Sequence, residues 1–152
     1  MVPAYQQAPN DFTPVKEALN MCAHTFQITD NQKHFREYDV NTCKTKDGTI
    51  VPVIVISSDS LTGIVRQEAR EIYHLLVSSN DINVKKTPEL IEERLQRQQR
   101  AIDLCNILLI DIQICQKRFH MTKSKAAYWA RLVDNTLNAT IRWHAAELAK
   151  FK

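Results

Sequence analysis

Glycine and proline are scarce in this sequence of 152 residues. It has two glycines and five prolines, and three of the prolines lie within the first fourteen residues. Because both residue types interrupt helices, the remainder of the chain can support long helices. The glycines, Gly48 and Gly63, lie far apart and outside any glycine-rich run, which excludes a glycine-rich phosphate-binding loop and argues against nucleotide hydrolysis.

Long apolar runs are also missing. The most hydrophobic segment is interrupted by polar residues such as Asp103, Asn106 and Asp111, so the sequence predicts no membrane span. The four cysteines show no close paired spacing, and no signal-peptide pattern precedes the first predicted helix. We therefore expect a reduced, cytoplasmic protein.

Positive charge is concentrated toward the C-terminus. The chain has a net charge of +3; residues 85–152 hold thirteen Lys/Arg and seven Asp/Glu, whereas residues 1–84 hold seven and ten. This imbalance favours an anionic partner such as nucleic acid. A solvated helix surface explains the same numbers equally well.

Four segments show the periodicity of amphipathic helices, with apolar residues three or four positions apart. Thr13 is the expected N-cap of the first helix, with a proline at its first helical position. The second helix is expected to begin after Ser60, the third at Pro88, and the fourth after a cap at Thr122 or Ser124. The pattern predicts an all-α fold, an antiparallel up-down-up-down four-helix bundle.

The expected domain organisation is simple. Residues 1–11 are polar and contain two prolines, so we expect a flexible lead-in. Residues 12–152 are expected to form one domain, which is long enough to bury a core without disulfides or metals. Trp129 and Trp143 lie on one face of the last helix and are predicted to belong to that core.

Residues 38–56 depart from the helical period and predict a β-hairpin inserted between the first two helices. Asp47 and Gly48 suit a two-residue type I′ turn, in which both residues have positive φ, and such a turn places Lys44 opposite Val51. The second strand is apolar on both faces, so we expect it to be covered by its own bundle, a partner or, as we favour, a second copy. The predicted contact residues are Ile50, Val51, Val53, Ile54 and Val55.

Residues suited to catalysis or metal binding are scattered. His24 lies two residues after Cys22, and on a helix this separation directs the two side chains about 200° apart. His74, His120 and His144 have no histidine or cysteine three or four residues away with which to form a helical metal site. The sequence therefore predicts no catalytic residue, no metal and no cofactor, and a protein that is not an enzyme.

Two basic clusters are candidate nucleic-acid sites, one on the third helix and one at the turn that follows it. They comprise Arg94, Arg97 and Arg100 on the helix, and Lys117, Arg118, Lys123 and Lys125 at the turn. Exposed cations of this kind bind nucleic-acid phosphates. Alternatively, the arginines pair with Glu92, Glu93 and acids on neighbouring helices, and the lysines complement the negative C-terminal end of the third helix.

Four segments resemble the four-helix-bundle proteins related to the accessory variability determinant (Avd) of bacterial and phage diversity-generating retroelements and, more distantly, the ribosomal intervening-sequence (23S rRNA) four-helix proteins. They are ALNMCAHTFQITDNQKHF (Ala18 to Phe35), EIYHLLVSSNDINV (Glu71 to Val84), ERLQRQQRAIDLCNILL (Glu93 to Leu109) and YWARLVDNTLNATIRWH (Tyr128 to His144). The resemblance implies a protein without enzymatic activity that assembles as a ring-like homopentamer. It also implies binding to nucleic acid and to a reverse transcriptase.

The sequence thus suggests a non-enzymatic accessory protein that binds RNA and a protein partner such as a retroelement reverse transcriptase. The alternative is a purely protein-binding structural or adaptor oligomer of phage or mobile-element origin. Salt-dependent RNA binding would separate the two, because displacing counterions from phosphates makes affinity fall steeply with ionic strength.

Overall fold

The computed structural model describes residues 12–30, 35, 39–55 and 60–152, without the side chains of 39–41 and 53–55. The predicted lead-in at residues 1–11 and both ends of the predicted hairpin lie outside this set. The described elements are α1 (Thr13–Thr29), β1 (Asp39–Lys44), β2 (Ile50–Val55), α2 (Leu61–Asp81), α3 (Ile91–Arg118) and α4 (Lys123–Phe151). The prediction of a mostly helical chain with four helices is confirmed. None of the described helices combines the length and apolar composition that a membrane span requires.

The first helix begins one residue earlier than the sequence indicates. Phe12 is the N-cap and makes no side-chain capping bond, while Thr13 is the first helical residue. The ring of Phe12 packs edge-on against Trp143 of α4, with ring centroids 4.9 Å apart. This apolar contact anchors the start of α1 in place of a polar cap, so the prediction of Thr13 as the cap is wrong.

Polar side chains cap the starts of α2 and α4, and the sequence predicts the second of these caps, at Thr122 or Ser124. Ser60 Oγ accepts a hydrogen bond from the backbone N–H of Gly63 at 3.0 Å. Thr122 Oγ1 accepts one from the N–H of Lys125 at 3.2 Å, which decides between the two candidate caps of α4. A 3₁₀ turn at Pro88–Leu90 leads into α3.

The four helices pack around one apolar core. α1 contacts α2 and α4, and α3 contacts the same two helices. Fully buried side chains come from every helix, among them Val15, Ala18 and Met21 of α1, Val65, Ala69, Ile72 and Leu76 of α2, Cys105, Leu108 and Ile112 of α3, and Trp129 and Val133 of α4. Such apolar burial is the main source of stability in a domain of this size.

The two tryptophans of α4 occupy different environments. Trp129 is fully buried, as predicted. Trp143 is half-buried and packs at the edge of the core, between the ring of Phe12 and the guanidinium of Arg94, which lies 5.3 Å from its ring centroid. Residues fourteen apart share a helix face, but the bundle covers that face less completely near the end of α4.

β1 and β2 form the predicted antiparallel hairpin, but its register differs from the predicted one by one residue. Lys44 pairs with Ile50, not with Val51. The N–H of Gly48 donates to the carbonyl of Thr45, and among the described residues of this turn only Gly48 has positive φ, at 84°. The connection is therefore a three-residue loop with a left-handed glycine, because Asp47 does not adopt the positive φ that a type I′ turn needs. The one-residue shift exchanges the two faces of the strand.

Candidate nucleic-acid interface

The turn between α3 and α4 holds the second basic cluster. α3 ends in a Schellman motif: the N–H of Met121 donates to the carbonyl of Gln116 at 3.1 Å, and His120 adopts a left-handed conformation with φ 54°. The four basic side chains of the cluster are exposed and lie within the last turn of α3 or the first turn of α4. They are Lys117, Arg118, Lys123 and Lys125.

The helix dipoles favour cations at only two of the four positions in this cluster. Lys117 and Arg118 lie in the last turn of α3, where cations complement the negative end of the helix. Lys123 and Lys125 lie in the first turn of α4, which contains no acidic residue. Cations at the positive end of a helix are electrostatically unfavourable, whereas a bound anion is favoured there. The local electrostatics of α4 therefore favour an anionic partner.

A cavity of about 490 Å³ lies next to this turn, between the C-terminal half of α1 and the first turns of α4. The described part of its walls combines apolar side chains with polar and cationic ones and includes no aspartate or glutamate. The lining residues are His24, Gln27, Ile28, Phe35, Met121, Ser124, Lys125, Tyr128 and Arg131. Lys125 thus belongs both to the basic cluster and to the cavity.

The aromatic side of the cavity is built from two contacts. The rings of His24 and Tyr128 meet edge-on with centroids 4.9 Å apart, and the guanidinium of Arg131 lies 5.3 Å from the Tyr128 ring centroid. Tyr128 is 46% exposed. His24 Nε2 is shielded from solvent and has no hydrogen-bond partner within the described residues. Burial lowers the pKa of His24, which favours the neutral imidazole.

The first basic cluster is not one continuous surface. Arg94 is largely buried: Nε and Nη2 donate to the Glu147 carboxylate, and Nη1 donates to the carbonyls of Ser79 and Ile82 at 3.1 and 2.8 Å. Its guanidinium therefore joins α2, α3 and α4 and is not available to a phosphate. This placement departs from the expectation of an exposed Arg94, and the reason is its position opposite a buried acid.

Arg97 and Arg100 remain at the surface. Arg97 forms an ion pair with Glu93 one turn earlier on α3, and Arg100 is exposed. The predicted pairing of these arginines with nearby acids is thus realised for Arg97 on its own helix and for Arg94 across helices. Arg100 remains a candidate for phosphate contact.

The hairpin residues expected to contact a partner are described in part. Ile50 is 68% exposed, and Val51 is half-buried. The backbone of Val53, Ile54 and Val55 is described and their side chains are not. Within the described residues, β1 and β2 pack on each other and on no helix. Coverage of the hairpin by its own bundle is therefore not seen in this part of the chain.

Glu68 and two neighbouring acids form a further titratable cluster. Glu68 of α2 is buried, and neither of its carboxyl oxygens has a hydrogen-bond partner of good geometry within the described residues. Burial and the neighbouring carboxylates of Asp111 and Glu71 raise the pKa of Glu68 to about 9. Among the described residues, no group of three or more His, Cys, Asp or Glu side chains is arranged to hold a metal ion.

The sequence pattern did not identify the cavity. The sequence singles out His24 only as a candidate catalytic residue, and its patterns give no role to Tyr128 or Arg131. Lys125, Tyr128 and Arg131 recur every three residues on α4, which places them near one another on its surface. The spacing alone does not show that α1 supplies the opposite wall.

Comparisons with protein-family models, with curated proteins and with solved structures found no match to this chain. The relationship to the Avd-related bundles therefore stays a prediction. The candidate interface rests on the placement of the basic turn and of the cavity beside it.

Proposed function

We propose that this protein is a non-enzymatic accessory protein that binds single-stranded RNA through the basic turn between α3 and α4. The observation that carries the proposal is the pair Lys123 and Lys125 in the first turn of α4, a position where the helix dipole disfavours cations. Phosphates are the anions best suited to several adjacent cations. The predicted relationship to the Avd-related bundles suggests a retroelement reverse transcriptase as the protein partner.

We also propose the up-down-up-down arrangement of the helices. It is supported by contacts whose residue numbers run in opposite directions on neighbouring helices. These contacts are Ser79–Arg94 and Glu68–Asp111 between α2 and α3, and Phe12–Trp143 and Thr25–Trp129 between α1 and α4. In this arrangement the α3–α4 turn lies at the same end of the bundle as the hairpin connection.

The RNA proposal is tested by removing two cations of the turn that the structure shows as exposed. The double variant Lys117→Gln/Lys123→Gln is compared with Lys85→Gln/Lys86→Gln, which removes the same charge from the exposed loop before α3. Binding of a fluorescent single-stranded RNA is measured by anisotropy between about 50 and 200 mM salt. Each lost phosphate contact on a single strand lowers the slope of log affinity against log salt by about 0.7.

The expected result is a weaker affinity and a salt slope reduced by about 1.4 for the variant at the α3–α4 turn, with little change for the control. Equal effects of the two double variants would show that binding depends on net charge and not on this turn. Absence of RNA binding by the wild-type protein, with a folded circular dichroism spectrum, would reject the proposal.

The second candidate function is protein binding by self-association, and a different surface favours it. Ile107, Ile110 and Ile114 are 41%, 58% and 48% exposed and recur three and four residues apart on one face of α3. Asp103 precedes them and Lys117 follows them on the same face. Two antiparallel copies would bring Asp103 of each chain toward the basic end of the other, which suits a two-fold interface.

Light scattering tests this alternative. Ile110→Ser is expected to lower the mass in solution, whereas Ile141→Ser, at an isoleucine of α4 that is 43% exposed, is expected to leave it unchanged. The wild-type mass distinguishes a dimer from the ring-like homopentamer that the resemblance implies. A wild-type monomer at high protein concentration would exclude both assemblies.

A further inference from the structure

We propose that the cavity between α1 and α4 binds one nucleoside 5′-monophosphate unit, either an unstacked nucleotide of single-stranded RNA or a free nucleotide. If the nucleotide belongs to an RNA strand, this inference rests on the proposed function and specifies that the RNA inserts one nucleotide into the cavity. The volume of about 490 Å³ lies within the range of small-molecule pockets, about 300 to 1,000 Å³.

The charge of the lining selects an anion. Among the described lining residues, Lys125 and Arg131 are the lysine and arginine of the cavity wall, and no aspartate or glutamate lies beside them. Both are exposed, so a phosphate at the cavity mouth can reach them while it remains partly hydrated. Charge-assisted hydrogen bonds from lysine and arginine to phosphate are among the stronger polar contacts in proteins.

The interior of the cavity selects a flat, partly apolar ring. Phe35 and Met121 are buried behind it, and Tyr128 presents a ring that is 46% exposed. Nucleic-acid bases stack on aromatic side chains of this kind, and every base offers such a face. The guanidinium of Arg131 lies over the Tyr128 ring. It is therefore placed between the aromatic wall and the solvent-facing mouth of the cavity, where a phosphate would lie.

His24 contributes its ring to the aromatic part of the wall, where it meets Tyr128 with centroids 4.9 Å apart. Aromatic side chains of this kind suit the flat face of a base. A simple aliphatic carboxylate would satisfy the cations and leave the aromatic wall without a partner.

Calorimetry on the intact protein tests whether the cavity binds a nucleoside monophosphate, whichever of the two sources supplies it. The probes are uridine 5′-monophosphate, uridine and inorganic phosphate, and the variants are Arg131→Gln and Tyr128→Leu. Arg142→Gln is the matched control, an exposed arginine on the same helix outside the cavity. We expect uridine 5′-monophosphate to bind more tightly than uridine or phosphate, and Arg131→Gln to weaken it about tenfold. Unchanged affinity in both cavity variants, with circular dichroism showing that they fold, would overturn the proposal.

A second pair of probes separates the two sources of the nucleotide. Oligouridylate is compared with a chain of the same length made of abasic ribose phosphates, which keeps the charge and lacks the bases. Tighter binding of oligouridylate, by about tenfold and abolished by Tyr128→Leu, supports insertion of an RNA base. Binding of uridine 5′-monophosphate without RNA binding supports the free-nucleotide form and rejects the proposed function. Equal affinity for the two chains, with no binding of uridine 5′-monophosphate, overturns the cavity proposal and leaves phosphate-based RNA binding intact.

Discussion

The indole Nε1 of Trp129 donates a hydrogen bond to Thr25 Oγ1 over 2.9 Å, and both side chains are fully buried. The same hydroxyl donates to the carbonyl of Met21 on its own helix, also at 2.9 Å. A threonine hydroxyl has one hydrogen and two lone pairs, so a single group satisfies both partners. This bond links α1 to α4 inside the core, close to the cavity that Tyr128 lines.

Replacing Thr25 with valine is expected to lower the free energy of unfolding by about 1 to 3 kcal/mol, because the buried Trp129 N–H loses its acceptor. Urea denaturation measures the loss. Thr25→Ser keeps the hydroxyl and is expected to cost only about 1 kcal/mol for the missing methyl group. Trp129→Phe completes a double-mutant cycle, and strictly additive losses in that cycle would show that the bond contributes nothing.

Arg94 and Arg100 are expected to respond in opposite ways to substitution. Arg94→Gln leaves the buried Glu147 without its ion-pair partner, and breaking such a pair costs about 3 to 5 kcal/mol. Arg100 is exposed, so Arg100→Gln should change stability by no more than about 0.5 kcal/mol. Chemical denaturation of the two variants checks this, and similar small losses in both would contradict the structural role of Arg94.

Local signals in the sequence predicted the helices better than the contacts between them. A cap at Thr122 or Ser124 is predictable because capping depends on a few adjacent residues. The hairpin register was mispredicted because Asp47-Gly48 also suits a loop in which only the glycine is left-handed. Arg94 and Arg100 belong to the same evenly spaced series, so the spacing does not show that Arg94 is largely buried and Arg100 exposed. The difference arises because the partner of Arg94 is Glu147, which lies 53 positions away in the sequence.

The cysteines are expected to differ in reactivity toward a thiol-specific alkylating reagent. All four are free thiols, and Cys43 is exposed on β1 whereas Cys105 and Cys115 are buried in α3. Burial and, to a lesser degree, Asp134 raise the pKa of Cys105 to about 12, so its reactive thiolate is scarce at pH 8. Mass spectrometry should show Cys43 modified first in the native protein. Rapid modification of Cys105 before unfolding would contradict the described core.

The buried acid Glu68 is expected to make stability fall as pH rises. Its pKa is about 9 in the folded protein, raised by burial and by the Asp111 carboxylate from an ordinary value of 4.5. Between these two values the folded state holds a proton that the unfolded state has released, so raising the pH favours unfolding. The stabilisation is fully present below about pH 4.5 and is lost as the pH approaches 9. One such group contributes a slope of at most about 1.4 kcal/mol per pH unit.

Glu68→Gln tests this, because glutamine has nearly the same shape as the protonated acid and does not titrate. We expect the variant to match the wild type near pH 4.5 and to be more stable at pH 8, by on the order of 2 kcal/mol, with a flatter pH profile of unfolding free energy. Glu71→Gln is the control on the same helix; because the Glu71 carboxylate is the smallest of the causes that raise the Glu68 pKa, most of the wild-type slope should remain. Parallel profiles for the wild type and Glu68→Gln would show that Glu68 is already ionised in the folded protein. In that case α2 and α3 would have to separate enough at this point to hydrate two carboxylates.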